Sequence, residues 1–497
     1  MEKKKLLKNL IITFMIYAFL LVFNIWVSKV VLVSYGSEIN GLLASVNQIY
    51  TYIALLEAGI GTATITALYA PLARKDQEET NRVCSASILY YRSVLKWYLA
   101  CAVVVSFVWP FFLDTTIDYW TIVGVILIQG VSNALTFYYV SATTNYLVAS
   151  GRNYANAYIH MAITMLTYIA KIFVCLLGAN VLLISASLLI INAIKCAIYA
   201  IYKRIKFKEL NFHVLADKSV LKQKNSFLVH EIIGVIFSST DLILISILCD
   251  LKMASVYAVY SMVVSAISSI IGQIFNSTKY ILGDAYHKVN YHRVHDSFNT
   301  VYIVVTFALY TITYILLPPF ISIYTQGVHD VEYTVKFLPL LFVLIQLLSA
   351  CRNVDTVLIK NALHSKQTIN RALIEASINL FFSILLLKLI GIQGVLLGTV
   401  LALLYRTNDM ILYANKKILN RSPWREYKLY ICNLIIFSAF VLLNVQLPIR
   451  VNNYFDLVVS AVIVAILVAV GYVFLNGLMF RRDIKKAVTI FKTEKNS

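Results

Sequence analysis

The stretch Ile39–Arg82, INGLLASVNQIYTYIALLEAGIGTATITALYAPLARKDQEETNR, sets the plan of the chain. It is predicted to form one long apolar helix that ends at Pro71 and is followed by a charged loop. Glu57 lies in the middle of this helix, just before Gly59, and a carboxylate is costly in such an apolar environment. A second passage of the same kind runs from Ser255 to Asp296. The chain is therefore expected to contain two copies of one plan.

The composition is that of an integral membrane protein. Of the 497 residues, 60% are hydrophobic and 13% are charged, whereas soluble domains average roughly 45–50% and about 25%. The start, MEKKKLLKN, precedes a long apolar run with no small-residue cleavage site, so we expect a first membrane span there and not a removed signal peptide. The seven cysteines form no close pair and predict neither disulfides nor a metal site.

The apolar blocks predict an all-α membrane protein with about fourteen transmembrane helices, because each span needs about 20 apolar residues. The predicted spans lie at about 10–34, 41–70, 94–113, 120–145, 155–177, 179–202, 227–248, 254–277, 298–320, 333–358, 368–390, 393–414, 429–449 and 455–476. The expected domains are a first lobe at 1–202, a cytoplasmic linker at 203–226, a second lobe at 227–414, and a C-terminal helix pair with a cytoplasmic tail at 415–497.

The basic residues predict the orientation of the chain. Lysine and arginine concentrate in every second connection, beginning with the N-terminal segment, whereas the opposite connections hold only Lys252, Lys336 and Arg450. Positive residues are retained on the cytoplasmic side, so both termini are expected in the cytoplasm. The net charge of +19 is explained by this orientation and by attraction to anionic membrane lipids, and nucleic acid is not expected as a partner.

An internal offset of 213 residues supports the duplication. It maps Lys75 onto Lys288 and Gly178 onto Gly391. Because each copy contains an even number of spans, both copies enter the membrane from the same side, and two parallel six-helix lobes are expected. The C-terminal helix pair lies outside this repeat.

Three segments resemble the second helix and first cytoplasmic loop of Wzx-type polysaccharide flippases: SYGSEINGLL (34–43), LLEAGIGTATITALY (55–69) and RKDQEETNR (74–82). This family belongs to the MOP superfamily, together with the lipid II flippase MurJ and the MATE drug exporters. The resemblance implies translocation of undecaprenyl-diphosphate-linked oligosaccharide repeat units across a bacterial plasma membrane, by alternating access, for surface polysaccharide biosynthesis. It also implies a cationic cavity between two lobes, and a polymerase and glycosyltransferases of the same pathway as partners.

Charged side chains inside spans are candidate functional residues, because each costs roughly 2.5–3.5 kcal/mol to insert. Arg352 and Arg406 are each followed three residues later by an acid, Asp355 and Asp409, on the same helical face. Each arginine either forms an intrahelical ion pair with a structural role or binds the diphosphate of the cargo, which arginine does well.

Two lysines complete the set of candidate cavity cations. Lys171 lies in the fifth predicted span and Lys29 in the first, where Lys29 is the nearest substitute for arginines that Wzx-type flippases often carry. We expect the other intramembrane lysines to extend to the membrane interface; these are Lys96, Lys195 and Lys388.

The remaining intramembrane polar side chains are candidates for coupling to H⁺ or Na⁺, because burial raises the proton affinity of a carboxylate. These candidates are Glu57, Asn24, Glu231, Asp241, Asp355 and Asp409. By depth, Arg352, Arg406 and Glu231 are predicted in the cytoplasmic half, and Lys29, Lys171 and Asp241 in the outer half. His230 is better explained as a hydrogen-bonded residue at a helix end.

The sequence carries no enzymatic signature: neither a phosphate-binding loop nor H-E-x-x-H nor G-x-S-x-G is present. We therefore expect a transporter with no organic cofactor. One alternative is a cation-coupled exporter of amphiphilic drugs in the manner of the MATE proteins, for which an acidic, aromatic cavity would be expected. Another is a membrane polysaccharide polymerase, but the longest outer connections, Gln326–Glu332 and Pro448–Asp456, are too short for a catalytic domain.

Overall fold

Helices make up the secondary structure of the computed structural model, which describes residues 2–57, 59–207, 210, 214, 234–235, 239–286 and 291–486. In chain order they are α1 (Glu2–Ile53), α2 (Ile60–Arg74), α3 (Gln77–Val108), α4 (Tyr119–Tyr139), α5 (Ser141–Ala149), α6 (Asn153–Leu176), α7 (Val181–Lys206), α8 (Ser239–Leu248), α9 (Leu251–Thr278), α10 (Tyr280–Ala285), α11 (Tyr291–Tyr324), α12 (Leu338–Cys351), α13 (Asn353–Asn361), α14 (Ile369–Ile390), α15 (Ile392–Tyr413), α16 (Trp424–Gln446) and α17 (Tyr454–Met479). Within the described residues, 12 helical segments are long and apolar enough to cross a membrane. The chain is an all-α multi-pass membrane protein, as predicted.

Two differences account for the 12 segments found where fourteen spans are predicted. The first two predicted spans share the segment Phe19–Glu57, because α1 continues through the expected connection between them. Of predicted span seven, the described residues contain the short apolar helix α8. The other predicted spans each overlap one candidate membrane helix.

Gly36 interrupts α1 without ending it. Its backbone (φ 79°, ψ 176°) lies in a region that is essentially restricted to glycine. The sequence places the first connection at this point, and the glycine does break the regular helix there. Helical residues resume at once, so the break is a kink of a single residue.

The stretch Ile39–Arg82 is not one helix, and the prediction of a continuous helix through Glu57 is wrong. Residues Ala54–Glu57 form one turn of 3₁₀-helix, and Gly59 adopts a left-handed conformation (φ 80°) before α2 begins. The predicted end at Pro71 is also wrong, because α2 continues to Arg74 and ends where Lys75 becomes left-handed. The amide of Asp76 donates back to the carbonyl of Pro71 at 2.9 Å, which closes the helix end.

Short polar side chains start several helices by accepting a backbone N–H that would otherwise have no partner. Asp76 accepts from Glu79 N–H at 2.9 Å to cap α3, and Asp118 accepts from Thr121 N–H at 3.1 Å to cap α4. Asn453 accepts from Asp456 N–H at 2.8 Å to cap α17. These residues fix the helix starts after polar connections that composition alone marks as loops.

The chain divides into two compact units, Met1–Ser255 and Val256–Ser497. The core of the first unit contains Leu42 and Val46 of α1, Ile126 of α4 and Ile184 of α7, all buried. Burying such apolar side chains against one another is the main packing contribution within the unit.

The core of the second unit joins α11 and α12 to the C-terminal pair, α16 and α17. Ile303, Val343, Phe437 and Tyr472 are buried together there. The hydroxyls of Tyr472 and Thr311 lie 2.9 Å apart. The C-terminal pair is therefore part of this unit and packs on α11.

Candidate functional site

A broken membrane helix occurs in each unit. In the first unit α4 ends at Tyr139 and α5 begins at Ser141, and in the second α12 ends at Cys351 and α13 begins at Asn353. The half-helices α5 and α13 are both 9 residues long, and residue 141 matches residue 353 at an offset of 212. The break is therefore a repeated feature, and each half-helix lines a cavity in its own unit.

The larger cavity lies in the second unit and has a volume of about 640 Å³. Its walls come from α9, α10, α11, α12 and α13. Two lysines, Lys279 and Lys360, line it, and the described lining residues include no aspartate or glutamate. The other polar residues of the lining are neutral: Ser268, Asn276, Tyr302, Tyr310, Gln346, Ser349, Asn353, Thr356 and Asn361.

Hydrogen bonds hold the polar wall of this cavity in place. Ser268 Oγ donates to Gln346 Oε1 at 2.9 Å and lies 2.8 Å from the hydroxyl of Tyr310. Lys279 Nζ donates to Asn276 Oδ1 at 2.8 Å, one turn earlier on α9. The cavity thus presents positioned donors and two ammonium groups, which is a surface suited to an anionic, oxygen-rich ligand.

The smaller cavity lies in the first unit and has a volume of about 430 Å³. Glu57 lines it, next to the left-handed Gly59, and Thr144 and Asn145 of α5 form the opposite wall. Asn145 Nδ2 donates to the hydroxyl of Tyr91 at 3.1 Å. The predicted coupling residue Glu57 therefore lies in a polar cavity, brought there by the interruption between α1 and α2 that hydropathy does not reveal.

Arg352 and Arg406 lie in a ladder of alternating charges on α14, α15 and the start of α13. Arg352 pairs with Glu375, whose second oxygen lies 3.4 Å from Arg406 Nε. Arg406 donates to Asp409 at 2.9 Å, and Asp409 also binds Arg371. Neither Arg352 nor Arg406 belongs to the lining of either cavity described above.

One of the two predicted ion pairs with a spacing of three residues is confirmed and the other is wrong. Arg406 and Asp409 lie on an uninterrupted helix and pair as expected. Arg352 occupies the break between α12 and α13 (φ −100°, ψ −9°), so its side chain turns toward Glu375 of α14 while Asp355 faces another helix.

The other described candidate residues lie outside the two cavities and outside the charge ladder. Asn24 and Lys29 on α1 and Lys171 on α6 are half-buried and outside the lining of both cavities. Asp241 on α8 is buried, and its neighbour Thr240 hydrogen-bonds to the hydroxyl of Tyr52. Glu231 and His230 lie outside the described residues.

A second charged group, at the start of α11 and α16, contains a possible metal-binding set. One ligand atom from each of His295, Asp355 and Glu426 lies within 4.8 Å of the others, and all three residues are buried. Arg421 donates to Asp296 Oδ1 at 2.8 Å and to Glu426 Oε1 at 2.9 Å. Burial disfavours the charge of Arg421, but these two carboxylates outweigh it and raise the pKa of the guanidinium.

Comparison with solved structures finds membrane proteins that share the fold of this chain. No protein-family model and no curated protein sequence matches it. The lipid II flippase MurJ, in an inward closed conformation, is similar over 95% of this chain and 99% of its own, with a TM-score of 0.71 and 13% identity. The chain has the fold of MurJ and the MATE transporters.

Two MATE structures show the extent of that likeness. An inward-facing multidrug resistance MATE family transporter of the MOP superfamily matches 81% of this chain and 95% of its own, with a TM-score of 0.68 and 12% identity. A MATE protein in the bent conformation matches 87% and 97%, with a TM-score of 0.57 and 13% identity. The chain therefore shares the fold of these structures, and membership of the Wzx family remains a proposal.

Sequence reasoning missed the two lysines of the larger cavity, because both were counted as loop residues. A signal was present on α9: Ser268, Gly272 and Asn276 recur every four residues in an otherwise apolar helix. That spacing predicts one polar face. Lys279 follows on the same face, three residues after Asn276.

Proposed function

We propose that this protein is a flippase that moves undecaprenyl-diphosphate-linked oligosaccharide repeat units across the bacterial plasma membrane by alternating access, for surface polysaccharide biosynthesis. The observation that carries the proposal is the cavity of the second unit, with Lys279 and Lys360 in its wall and no described carboxylate beside them. Charge-assisted hydrogen bonds from ammonium groups to phosphate oxygens are among the stronger polar contacts in proteins.

The predicted orientation supports the same assignment. With the N-terminus in the cytoplasm, α9 and α13 both end on the cytoplasmic side, and Lys279 and Lys360 lie near those ends. Lipid-linked repeat units are completed on that side before transfer. The neutral hydroxyl and amide groups deeper in the cavity then offer partners for sugar hydroxyls.

A drug exporter of the MATE type is the second candidate, and one observation favours it. Glu57 lines the cavity of the first unit, where a carboxylate can bind an organic cation or the coupling ion, H⁺ or Na⁺. The flippase proposal accommodates this residue as a coupling site. The exporter proposal leaves the two lysines of the larger cavity without a role.

The deciding experiment replaces both lysines in a host that lacks the gene for this chain. Lys279→Gln/Lys360→Gln should reduce surface polysaccharide at least tenfold, since a hydrogen bond to a charged group contributes about 1.5–3 kcal/mol. Surface polymer is measured by immunoblot of whole cells, and the amount of protein in the membrane by immunoblot of the chain. Lys388→Gln, an exposed lysine at the end of α14, is the matched control.

Full surface polymer in the double variant would refute the assignment of the two lysines. Resistance to cationic dyes on expression of the wild-type chain, with no change in surface polymer when its gene is deleted, would instead establish the exporter. Proteoliposomes containing a fluorescent undecaprenyl diphosphate provide a direct test, because wild-type protein should expose the lipid to a reductant outside the vesicle. The glycosyltransferases and polymerase proposed as pathway partners are absent from this assay.

A further inference from the structure

Three helices bring potential metal ligands to one buried point in the second unit. His295 comes from the start of α11, Asp355 from α13 and Glu426 from the start of α16, and all three are 0% exposed. One potential ligand atom from each residue lies within 4.8 Å of those of the other two. His295 and Asp355 are 60 positions apart in sequence, and Asp355 and Glu426 are 71 apart, so it is the packing of the unit that brings the three together.

The polar atoms of this group do not satisfy one another. Among the described residues, neither oxygen of Asp355 accepts a hydrogen bond, and the same holds for Oε2 of Glu426. His295 Nε2 lies 3.6 Å from Asp355 Oδ1, which is longer than a hydrogen bond. Buried carboxylates in native proteins are paired or bind metal, because leaving them without partners is costly.

These three residues and the charged side chains around them carry two more negative than positive charges when His295 is neutral. Arg421 binds Asp296 and Glu426, and Arg425 binds Asp296 and Asp483. With Asp355, these contacts join four carboxylates to two guanidinium groups, a formal charge of −2 when His295 is neutral. One divalent cation at the centre of the three ligands balances that charge.

One ligand separation and the ligand types favour Zn²⁺. Ligands at about 2.0–2.2 Å from a tetrahedral Zn²⁺ lie roughly 3.3–3.6 Å apart, and the separation of His295 Nε2 from Asp355 Oδ1 is 3.6 Å. Imidazole favours Zn²⁺ and similar transition metals over Mg²⁺ and Ca²⁺, which prefer sets of oxygen ligands.

The second nitrogen of His295 faces a carboxylate that can orient the ring. Asp296 Oδ1 lies 3.5 Å from His295 Nδ1, on the side away from Asp355. A metal-bound histidine nearly always donates its other N–H to a carboxylate, carbonyl or water, which fixes the tautomer with Nε2 toward the metal. Asp296 is thus a positioning residue for the proposed site.

We propose that His295, Asp355 and Glu426 bind one divalent transition-metal ion, of which Zn²⁺ is the best-fitting example. The ligands are Nε2 of His295, the carboxylate of Asp355 and Oε2 of Glu426, and one position is left for water. The rim residues Asp296, Arg421 and Arg425 are partly exposed and provide the route of entry.

The bound ion ties together α11, α13 and α16. The same half-helix α13 presents Asn353, Thr356 and Lys360 to the cavity of the second unit on its other side. A metal ion bound to Asp355 therefore holds α13 in place on the side opposite to the one that lines the cavity. The inference is independent of which cargo the cavity accepts, since it concerns only the ligands and charges of the cluster.

The test measures metal binding by the full-length chain, purified in detergent through a tag that contains no histidine. After equilibrium dialysis against micromolar Zn²⁺, mass spectrometry of the metal should find one ion per wild-type chain. Asp355→Asn keeps the shape of the side chain and should lower the affinity roughly tenfold or more. Glu332→Gln, which neutralises an exposed carboxylate between α11 and α12 of the same unit, should leave it unchanged.

A second measurement uses only the wild-type chain, so it does not depend on the folding of a variant. Zn²⁺ should raise the midpoint of thermal unfolding, EDTA should reverse the rise, and the same concentration of Mg²⁺ should have no effect. Absence of stoichiometric Zn²⁺ and of the thermal shift would overturn the proposal and indicate that protons neutralise the cluster. Equal loss of metal in Asp355→Asn and Glu332→Gln would also overturn it.

Discussion

At the scale of residues, the charge ladder shows how this chain accommodates ions within its membrane helices. Arg406 is 6% exposed and contacts both Glu375 and Asp409. A buried ion pair adds little stability relative to an apolar pair of the same size, but removing one partner leaves a buried charge and is strongly destabilising. The ladder therefore makes its members mutually dependent.

Arg406→Met should lower the free energy of unfolding by about 3–5 kcal/mol, because it leaves Glu375 with one guanidinium fewer in a buried position. Adding Glu375→Leu should recover part of that loss. The double variant should therefore lose less free energy of unfolding than the two single variants lose in sum. Denaturant unfolding in detergent measures both. Arg450→Met, at an exposed arginine between α16 and α17, is the control for the loss of a positive charge.

Additive effects in this cycle would contradict the ladder. The cycle also bears on transport, because cargo binding is one of the two roles that the sequence leaves open for Arg352 and Arg406. In that role, their removal would reduce surface polymer through weaker cargo binding. Their contacts with Glu375 indicate that the same loss can follow from instability. Surface polymer should therefore be compared with the amount of folded protein in each variant.

The sequence identified Arg352, Arg406 and Asp409 of the ladder but neither Arg371 nor Glu375, and therefore only part of the pairing. Helical spacing relates residues on one helix, and it correctly joined Arg406 to Asp409. It cannot show a partner on a neighbouring helix, so Glu375 was not predicted as a partner. It also assumed an uninterrupted helix at Arg352, where the break changes the direction of the side chain.

At the scale of elements, the interruption between α1 and α2 is the feature that hydropathy conceals. The stretch is apolar on both sides of Glu57, so composition predicts one continuous helix. The local signal is Gly59, whose positive φ permits the chain to leave one helix and begin another. Glu57 reaches the cavity of the first unit as a result.

Gly59→Ala should destabilise the protein by about 1–2 kcal/mol, because an alanine in the left-handed conformation brings its Cβ too close to the backbone. Gly61→Ala is the matched control. A Cβ at Gly61 would meet its nearest neighbour, Asn145 Oδ1, at an ordinary 3.6 Å, and alanine favours the helix that begins there. Thermal unfolding of the two variants in detergent should separate them.

A Gly59→Ala variant as stable as Gly61→Ala would mean that the turn is not restricted to glycine. A loss of transport in Gly59→Ala without a loss of stability would instead show that the position of Glu57 matters for function. The wild-type chain and both variants are compared at equal amounts in the membrane.

The repeated half-helices were not predicted from the sequence, although the duplication was. An offset of 212 matches α5 to α13, and Thr144 and Thr356 then occupy equivalent positions in the two cavities. Almost no other identity marks the pair. The breaks lie at Val140 and Arg352. Because neither is a glycine or a proline, the breaks are seen only in the structure.

At the scale of the whole molecule, the sequence predicted the all-α membrane class because apolar content and span length are set by the bilayer itself. The number of spans was harder to predict, since it depends on where one apolar run is divided from the next. At Gly36 the division is a single kinked residue within one long helix. The orientation in the membrane rests on the distribution of charge and stays a prediction.

Reporter fusions test that orientation. Alkaline phosphatase fused after Lys206 or at the C-terminus should be inactive, and a fusion at Asp330, between α11 and α12, should be active, because basic connections remain in the cytoplasm. Green fluorescent protein at the same positions should give the opposite pattern. Phosphatase activity at the C-terminus would contradict the expected topology, and a fusion at Lys416 provides a second cytoplasmic control.

The hairpin of α14 and α15, which turns at Gly391, also has a consequence for biogenesis. It carries Arg371 and Glu375 on one helix and Arg406 and Asp409 on the other, and their formal charges cancel within the hairpin. Inserting a charged side chain into the bilayer without a partner is costly. Arg371 of α14 pairs with Asp409 of α15, and Glu375 of α14 pairs with Arg406, so we expect the two helices to insert more readily together than one at a time.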